Sequence, residues 1–175
     1  SNLIRIKISQ DNPRYKLYED KFIIGKSNEN QENFDVLVFC VRNITGNVTI
    51  PDFIEIIGPY SFEFCSHLSS ITINNDSKLR IIDEYAFAKS SITKFIIPEN
   101  SNLLEIKNGA FQESHLKSFS FPSKIKIIEK EAFRSCKDLI EISFNSDCEL
   151  QIINERVFSE TKISSVSIPS RVTTI

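Results

Sequence analysis

A hydrophobic pattern that recurs every 22 to 25 residues constrains this 175-residue chain more than any other feature. Five phenylalanines recur at spacings of 25, 24, 22 and 25, and an isoleucine precedes each of them by five residues. The phenylalanines are Phe62, Phe87, Phe111, Phe133 and Phe158. The isoleucines are Ile57, Ile82, Ile106, Ile128 and Ile153. Self-similarity at a fixed period of this length is typical of a solenoid, in which each repeat forms one coil.

Each repeat also carries a strand-like alternation, L-x-x-I-x-I, downstream of its phenylalanine. Alternation with a period of two predicts a short β-strand with one buried face. One unit cannot bury both that face and its phenylalanine cluster, but copies stacked at about 4.8 Å close a continuous core. The sequence therefore predicts a mainly β solenoid of about five repeats of 23 or 24 residues over residues 46–175.

Residues 1–45 do not follow this period, although they contain apolar runs that are typical of strands. The runs are Leu3 to Ile8, Tyr15 to Tyr18, Phe22 to Ile24 and Val36 to Val41. Because a solenoid needs a distinct unit at its end, we expect a cap of β-hairpins over residues 1–45. Residues 172–175 begin a sixth unit, so we expect the array to be truncated there, with an edge that allows end-to-end self-association.

The composition excludes several classes of function. The chain has 21 basic and 23 acidic residues, and Lys and Arg are scattered singly along it. This distribution lacks the basic stripe of a nucleic-acid-binding protein. The four glycines form none of the phosphate-binding loops of nucleotide enzymes. No apolar run reaches 18 residues, so no membrane insertion is predicted within this segment.

The reactive side chains of the sequence are better explained as structural residues than as a catalytic site. The cysteines form no C-x-x-C motif or regular framework, which favours buried free thiols; they are Cys40, Cys65, Cys136 and Cys148. Repeat spacing separates Cys65 from Cys136 by about 14 Å, which is too far for a disulfide. It separates His67 from His115 by about 10 Å, and no third ligand accompanies them. We therefore predict no catalytic residue, metal ligand or cofactor.

The repeat resembles that of the BspA-like leucine-rich repeat family, named for bacterial surface protein A, whose unit reads roughly L-x-x-I-x-I-P-x-x-V-x-x-I-G-x-x-A-F-x-x-C. The matching residues are Ile50-Pro51 through Phe62 and Cys65, Tyr85-Ala86-Phe87, Gly109-Ala110-Phe111, Glu131-Ala132-Phe133, Cys136 and Ile168-Pro169. The copies look similar to versions found in anaerobic mucosal protists. The resemblance implies a right-handed solenoid and, in several members, surface display with adhesion to host cells or matrix. It implies no catalytic residues.

The outward side of the predicted strands is the remaining candidate site. Small hydroxyls dominate it, and such residues suit exposed strands, where they form hydrogen bonds across strands. The alternative is a flat polar surface that binds a protein or glycan ligand, with Lys94 and Ile96 as its main contacts. The candidate partner-binding residues are Ser70, Thr72, Lys94, Ile96, Ser118, Ser120, Glu141, Ser143, Ser165 and Ser167.

The sequence thus favours a non-enzymatic binding module, displayed at the cell surface or outside the cell, that contacts a protein or glycan on host cells or matrix. The alternative is an intracellular scaffold in the cytoplasm, which four reduced cysteines would favour. A face with roughly 10–15 contact residues is smaller than the 20–30 per side of a standard interface. We therefore expect one copy to bind weakly and many copies to bind by avidity.

Overall fold

The computed structural model describes residues 6–175, and these residues form thirteen β-strands and no helix. The strands are β1 (Tyr15–Tyr18), β2 (Phe22–Gly25), β3 (Val36–Cys40), β4 (Gly46–Thr49), β5 (Ile56–Ile57), β6 (Leu68–Thr72), β7 (Ile81–Ile82), β8 (Lys94–Ile96), β9 (Glu105–Ile106), β10 (Ser118–Phe121), β11 (Ile127–Ile128), β12 (Glu141–Phe144) and β13 (Ile152–Ile153). They build a β-solenoid of about five coils, so the predicted mainly β leucine-rich repeat solenoid is confirmed.

The predicted L-x-x-I-x-I segments form parallel strands in the sheets β4-β6-β8 and β10-β12. Equivalent residues of successive repeats pair with one another, as Ile71 does with Phe95 and Phe119 with Ile142. The last of these segments is an exception, because residues 162–169 have no regular secondary structure. The expectation of a strand there is therefore wrong. Within the described residues this segment borders β12 on one side and no further coil on the other, so it lacks half of its packing.

The isoleucines upstream of the phenylalanines form a second parallel ladder, which the sequence did not predict. Each contributes to a two-residue strand, and these strands continue the cap in one sheet of order β1-β2-β3-β5-β7-β9-β11-β13. The isoleucine column is in register along this sheet, from Ile57 through Ile82 to Ile106. Two residues per coil are too few to show a period of two in the sequence.

Each phenylalanine lies in a turn whose backbone alternates between left-handed and right-handed conformations. The residues two before and two after each phenylalanine have positive φ; they are Tyr60, Phe64, Tyr85, Lys89, Gly109, Glu113, Glu131, Ser135, Arg156 and Glu160. In the first four coils their N–H groups point to the next coil, as Tyr85 N–H donates to Asn108 O (3.0 Å) and Lys89 N–H to Gln112 O (2.8 Å). Most of these residues are not glycine, so the inter-coil hydrogen bonds offset the strain of the left-handed positions.

The phenylalanines stack in a buried column along the solenoid axis. Ring centroids lie 4.8 Å apart between Phe62 and Phe87, 5.3 Å between Phe87 and Phe111, and 5.0 Å between Phe111 and Phe133. These four side chains are completely buried. The predicted repeat register is therefore confirmed, and the stacking adds to the free energy of burial.

The N-terminal cap consists of β1, β2 and β3, which pair antiparallel in that order, while β3 pairs parallel with β5 of the first coil. Phe22 continues the phenylalanine column, with its centroid 6.1 Å from that of Phe62. Ile6 and Ile8 form no strand, and Leu3 and Ile4 of the same predicted run lie outside the described residues. Because the sheet runs from the cap into the array without a break, a domain boundary at residue 45 stays a prediction.

Candidate binding surface

The solvent-facing side chains of β6, β8, β10 and β12 form one surface, here called the strand face. Eight of the ten predicted binding residues lie on these strands: Ser70, Thr72, Lys94, Ile96, Ser118, Ser120, Glu141 and Ser143. The structure does not place Ser165 and Ser167 on a strand, because both lie exposed in the irregular segment 162–169. The face is flat because parallel strands in register present equivalent side chains at equal height.

Hydrogen bonds across strands occupy the hydroxyls of this face at two places. Asn47 Oδ1 accepts hydrogen bonds from Ser70 Oγ (2.9 Å) and Thr72 Oγ1 (3.3 Å). Ser143 Oγ donates to Ser120 Oγ (3.0 Å). The structural interpretation of the hydroxyls therefore applies to these residues, and it leaves their outer surface available for contact.

Lys94 and Ile96 differ from the hydroxyls around them. Ile96 is 51% exposed, and Lys94 is exposed beside it on the same strand. Their strand, β8, pairs with β6 on one side, and on its other side Lys117 N–H of the next coil donates to Thr93 O at 3.2 Å. An exposed apolar side chain beside a cation differs in its chemistry from the hydroxyls around it.

Ile140 is a further exposed residue of this surface that the sequence interpretation missed. Its side chain is 61% exposed, and the residue immediately precedes β12. The repeat L-x-x-I-x-I has three outward columns, and only the second and third were considered as candidates. The first column would have supplied both Ile140 and Lys117 from the sequence.

A group of charged side chains borders the strand face. His115 Nδ1 lies 2.9 Å from Asp138 Oδ2, and this hydrogen bond lowers the pKa of the Asp138 carboxyl below its usual value. They line a cavity of about 490 Å³ together with Lys137 and Glu160. Among the residues that the structure describes, no three His, Cys, Asp or Glu side chains are grouped to hold a metal ion. Asp138 also pairs with Lys162 at 3.9 Å, and Glu160 pairs with Arg134 at 3.3 Å.

All four cysteines are buried free thiols, as the sequence predicts. Burial raises the pKa of Cys136 from its ordinary 9.0 to about 11, and its thiol donates to Phe111 O at 3.0 Å. Burial also raises the pKa of Cys148. Thiols with raised pKa values are poor nucleophiles at neutral pH because the thiolate is the reactive form.

The structure brings together one pair of cysteines that spacing had not singled out, in Cys40 of the cap and Cys65 of the first coil. The neighbouring Cys65 thiol and burial raise the pKa of Cys40, whose thiol donates to Val41 O at 3.6 Å. The Arg42 guanidinium lies 3.7 Å from Cys65 Sγ and also donates to Ser61 O at 2.6 Å. Arg42 thus joins the cap to the first turn by hydrogen bonds to its backbone.

No helix that could cross a membrane occurs within residues 6–175.

Comparisons with known proteins add to this geometry. A family model described as "BspA type Leucine rich repeat region" matches in six copies, over residues 32–149 and 76–175. A comparison with curated proteins found no match.

Several solved structures are similar to this chain. The pneumococcal vaccine antigen PcpA is 21% identical with a TM-score of 0.65, over 95% of this chain and 45% of that one. A leucine-rich cell surface protein from Faecalibacterium prausnitzii A2-165 is 21% identical with a TM-score of 0.66, over 95% and 49%. The leucine-rich repeat protein TpLRR of T. pallidum is 19% identical with a TM-score of 0.65, over 94% and 72%. This chain spans less than half of the first two proteins, and identities this low show the fold alone.

Proposed function

The chain belongs to the BspA-type leucine-rich repeat family, and from this premise we propose that it is a non-enzymatic binding module that contacts a protein or glycan ligand through its strand face. Proteins of this family and fold are generally binding modules. The observation that carries the proposal lies on strand β8, where Ile96 is half exposed beside Lys94 in a surface rich in hydroxyls. Exposed apolar side chains rimmed by polar residues are typical of interaction sites.

Display at the cell surface, with adhesion to host cells or matrix, is the specific role that we propose. The names of two structural neighbours support it, since one is a vaccine antigen and the other a cell surface protein. An intracellular scaffold is the second candidate. It is favoured by the four buried free thiols, because exported domains more often form disulfides.

The strand face is small for an interface. Its eight predicted residues, with Lys117 and Ile140, remain below the 20–30 residues per side of a standard interface. Single copies should therefore bind weakly, and many copies on one surface should bind strongly by avidity.

The test is binding of a multivalent, labelled form of the protein to intact host epithelial cells. The variant Lys94→Glu, Ile96→Asp, Ser118→Glu changes the strand face. The matched control, Lys89→Glu, Phe64→Asp, Ser66→Glu, makes the same three kinds of change at exposed residues of the turns. Both triple variants should fold, and circular dichroism and thermal unfolding would check this.

Saturable binding that the strand-face variant loses and the turn control keeps would support adhesion through the strand face. Equal loss in both variants would contradict the location of the site. If neither the parent nor the control binds cells while both are folded, the adhesion role is wrong. In that case a partner recovered from cell lysate by the parent and the control, but not by the strand-face variant, would support the scaffold role.

A further inference from the structure

Basic side chains that are far apart in the sequence meet on one side of the solenoid. In the second coil, Lys78 and Arg80 lie nine and seven residues before Phe87. In the fourth coil, Lys124 and Lys126 lie nine and seven residues before Phe133. Backbone hydrogen bonds align their columns, since Leu104 N–H donates to Arg80 O (2.9 Å) and Lys126 N–H to Leu104 O (2.8 Å). The sequence interpretation treated lysines and arginines as scattered, because neighbours in a column are 22 to 24 residues apart.

Three of these side chains, Lys78, Arg80 and Lys124, line a groove of about 340 Å³, here called the basic groove, and Lys126 lies in the same column as Arg80. Its lining residues are Glu55, Lys78, Arg80, Asn102, Leu104 and Lys124. None of them belongs to the strand face. The lining residues come from four successive coils, so the long direction of the groove follows the solenoid axis, and Asn102 and Leu104 lie in the third coil.

The basic groove keeps an excess of positive charge. Arg80 pairs with Glu55 at 3.7 Å and Lys126 with Glu149 at 3.8 Å, and all four side chains are at least a third exposed. Lys124 Nζ donates to Asn102 Oδ1 at 2.7 Å. Within residues 6–175, neither Lys78 nor Lys124 makes an ion pair. Exposed ion pairs contribute little free energy, so Arg80 and Lys126 can exchange their carboxylates for a ligand. A concave cluster of cations attracts anions from solution.

We propose that the basic groove binds a sulfated linear polysaccharide, independently of the strand face. Lys78 and Lys124 are two coils apart, about 10 Å at the strand spacing, which is close to the length of one disaccharide. Two cations at this separation match the repeat of sulfate groups along such a chain. Between them, the Asn102 amide and the Leu104 side chain offer a hydrogen bond and an apolar contact to a sugar ring.

A neighbouring cavity extends this track toward the cap. It has a volume of about 410 Å³, shares Lys78 and Glu55 with the basic groove, and adds Lys16 and the ring of Phe53. Phe53 is 37% exposed and packs edge-on against Tyr18. An exposed ring at the end of a cationic groove suits a polysaccharide, whose sugar faces stack on aromatic rings. The three cations that line the groove, even with Lys126 added, are fewer than the 6–10 phosphate contacts that a nucleic-acid-binding protein makes.

The experiment measures binding of fluorescent heparin, a sulfated polysaccharide, at NaCl concentrations from 50 to 300 mM. Hyaluronan carries carboxylates without sulfate, and single-stranded DNA carries phosphates, so they serve as competitors of other chemistry. The variant Lys78→Glu, Lys124→Glu removes the two unpaired cations. Its control, Lys94→Glu, Lys117→Glu, has the same net charge and changes the strand face instead.

We expect the parent to bind heparin more weakly as salt rises, and the groove variant to bind at least tenfold more weakly than the parent. Replacing two lysines should also reduce the log–log salt slope by about two. The strand-face control should keep the parent's affinity to within about threefold. The variant Lys78→Gln, Lys124→Gln should show the same loss without introducing repulsion.

Three outcomes would overturn the proposal. One is no heparin binding by the folded parent at 50 mM NaCl. Another is an equal loss in the groove variant and in the strand-face control, which would reflect net charge alone. The last is competition by hyaluronan or single-stranded DNA as strong as that by unlabelled heparin, which would show that the groove does not select sulfate on a sugar chain. None of these outcomes depends on whether the strand face binds cells.

Discussion

The central coils and the last coil carry the same repeat but differ in structure. Phe111 lies between Phe87 and Phe133 in the stacked column and is completely buried. Within residues 6–175, Phe158 has one neighbour in the column, Phe133 at 5.8 Å, and it is only partly buried. The outward segment of the last repeat forms no strand, and its inward residues Val166 and Ile168 are about 40% exposed. The repeat sequence alone therefore does not fix the structure of a coil, because each coil depends on neighbours on both sides.

The substitution Phe111→Ala should produce the largest effect. It removes a fully buried ring from the middle of the column, so we expect a loss of about 3–5 kcal/mol in the free energy of unfolding. Phe158→Ala removes a ring with one column neighbour and should cost about 1–2 kcal/mol. Urea unfolding followed by circular dichroism measures both values. Equal losses would show that the last coil is as tightly packed as the centre, contrary to this comparison.

An alkaline loss of stability should distinguish the fourth coil from the last one. The column position three residues after the phenylalanine holds buried Cys136 in the fourth coil and partly buried Thr161 in the last. Since burial raises the pKa of Cys136 from 9.0 to about 11, the unfolded state loses the thiol proton first. The contribution of the buried thiol to the free energy of unfolding is therefore complete below pH 9. It falls by roughly 3 kcal/mol as the pH rises to about 11.

The control for this effect is Cys136→Ser, because the two preceding coils have a serine at the equivalent position, Ser90 and Ser114. The variant keeps Lys107, whose raised pKa, caused first by Glu105, adds a loss of stability above pH 10.5 in both proteins. The difference between parent and variant therefore isolates the thiol. The free energy of unfolding of both proteins is measured with urea at pH 9 and at pH 11. If it falls equally in the two proteins, Cys136 is not buried.

The sequence could predict the features that depend on inward side chains, but not those that depend on contacts between coils. The phenylalanine column, the strands β6, β8, β10 and β12 and the buried thiols were predictable, because inward side chains repeat in kind and their period is visible. The positive φ of Tyr60 or Lys89 was not, because the turn is stabilised by hydrogen bonds to the next coil and not by glycine. The basic groove was not either, because its cations become neighbours only after stacking.

The smallest expected effect concerns the serines of the strand face and of the last coil. Ser143 donates a hydrogen bond to Ser120 across a formed ladder, whereas Ser165 lies in the irregular segment, with no side-chain hydrogen bond within the described residues. Ser143→Ala should therefore lower the free energy of unfolding by about 0.5 kcal/mol, and Ser165→Ala should leave it unchanged within error.

Cell binding by the same two variants sharpens the comparison, because it separates the structural role of the hydroxyls from a role in contact. If Ser143 acts only within the ladder, Ser143→Ala binds cells as the parent does despite its small loss of stability. A clear loss of binding in Ser143→Ala, with Ser165→Ala unaffected, would make the ladder hydroxyl a contact residue. A loss of cell binding in Ser165→Ala alone would place the contact in the last coil. The ligand would then recognise the irregular segment and not the paired strands.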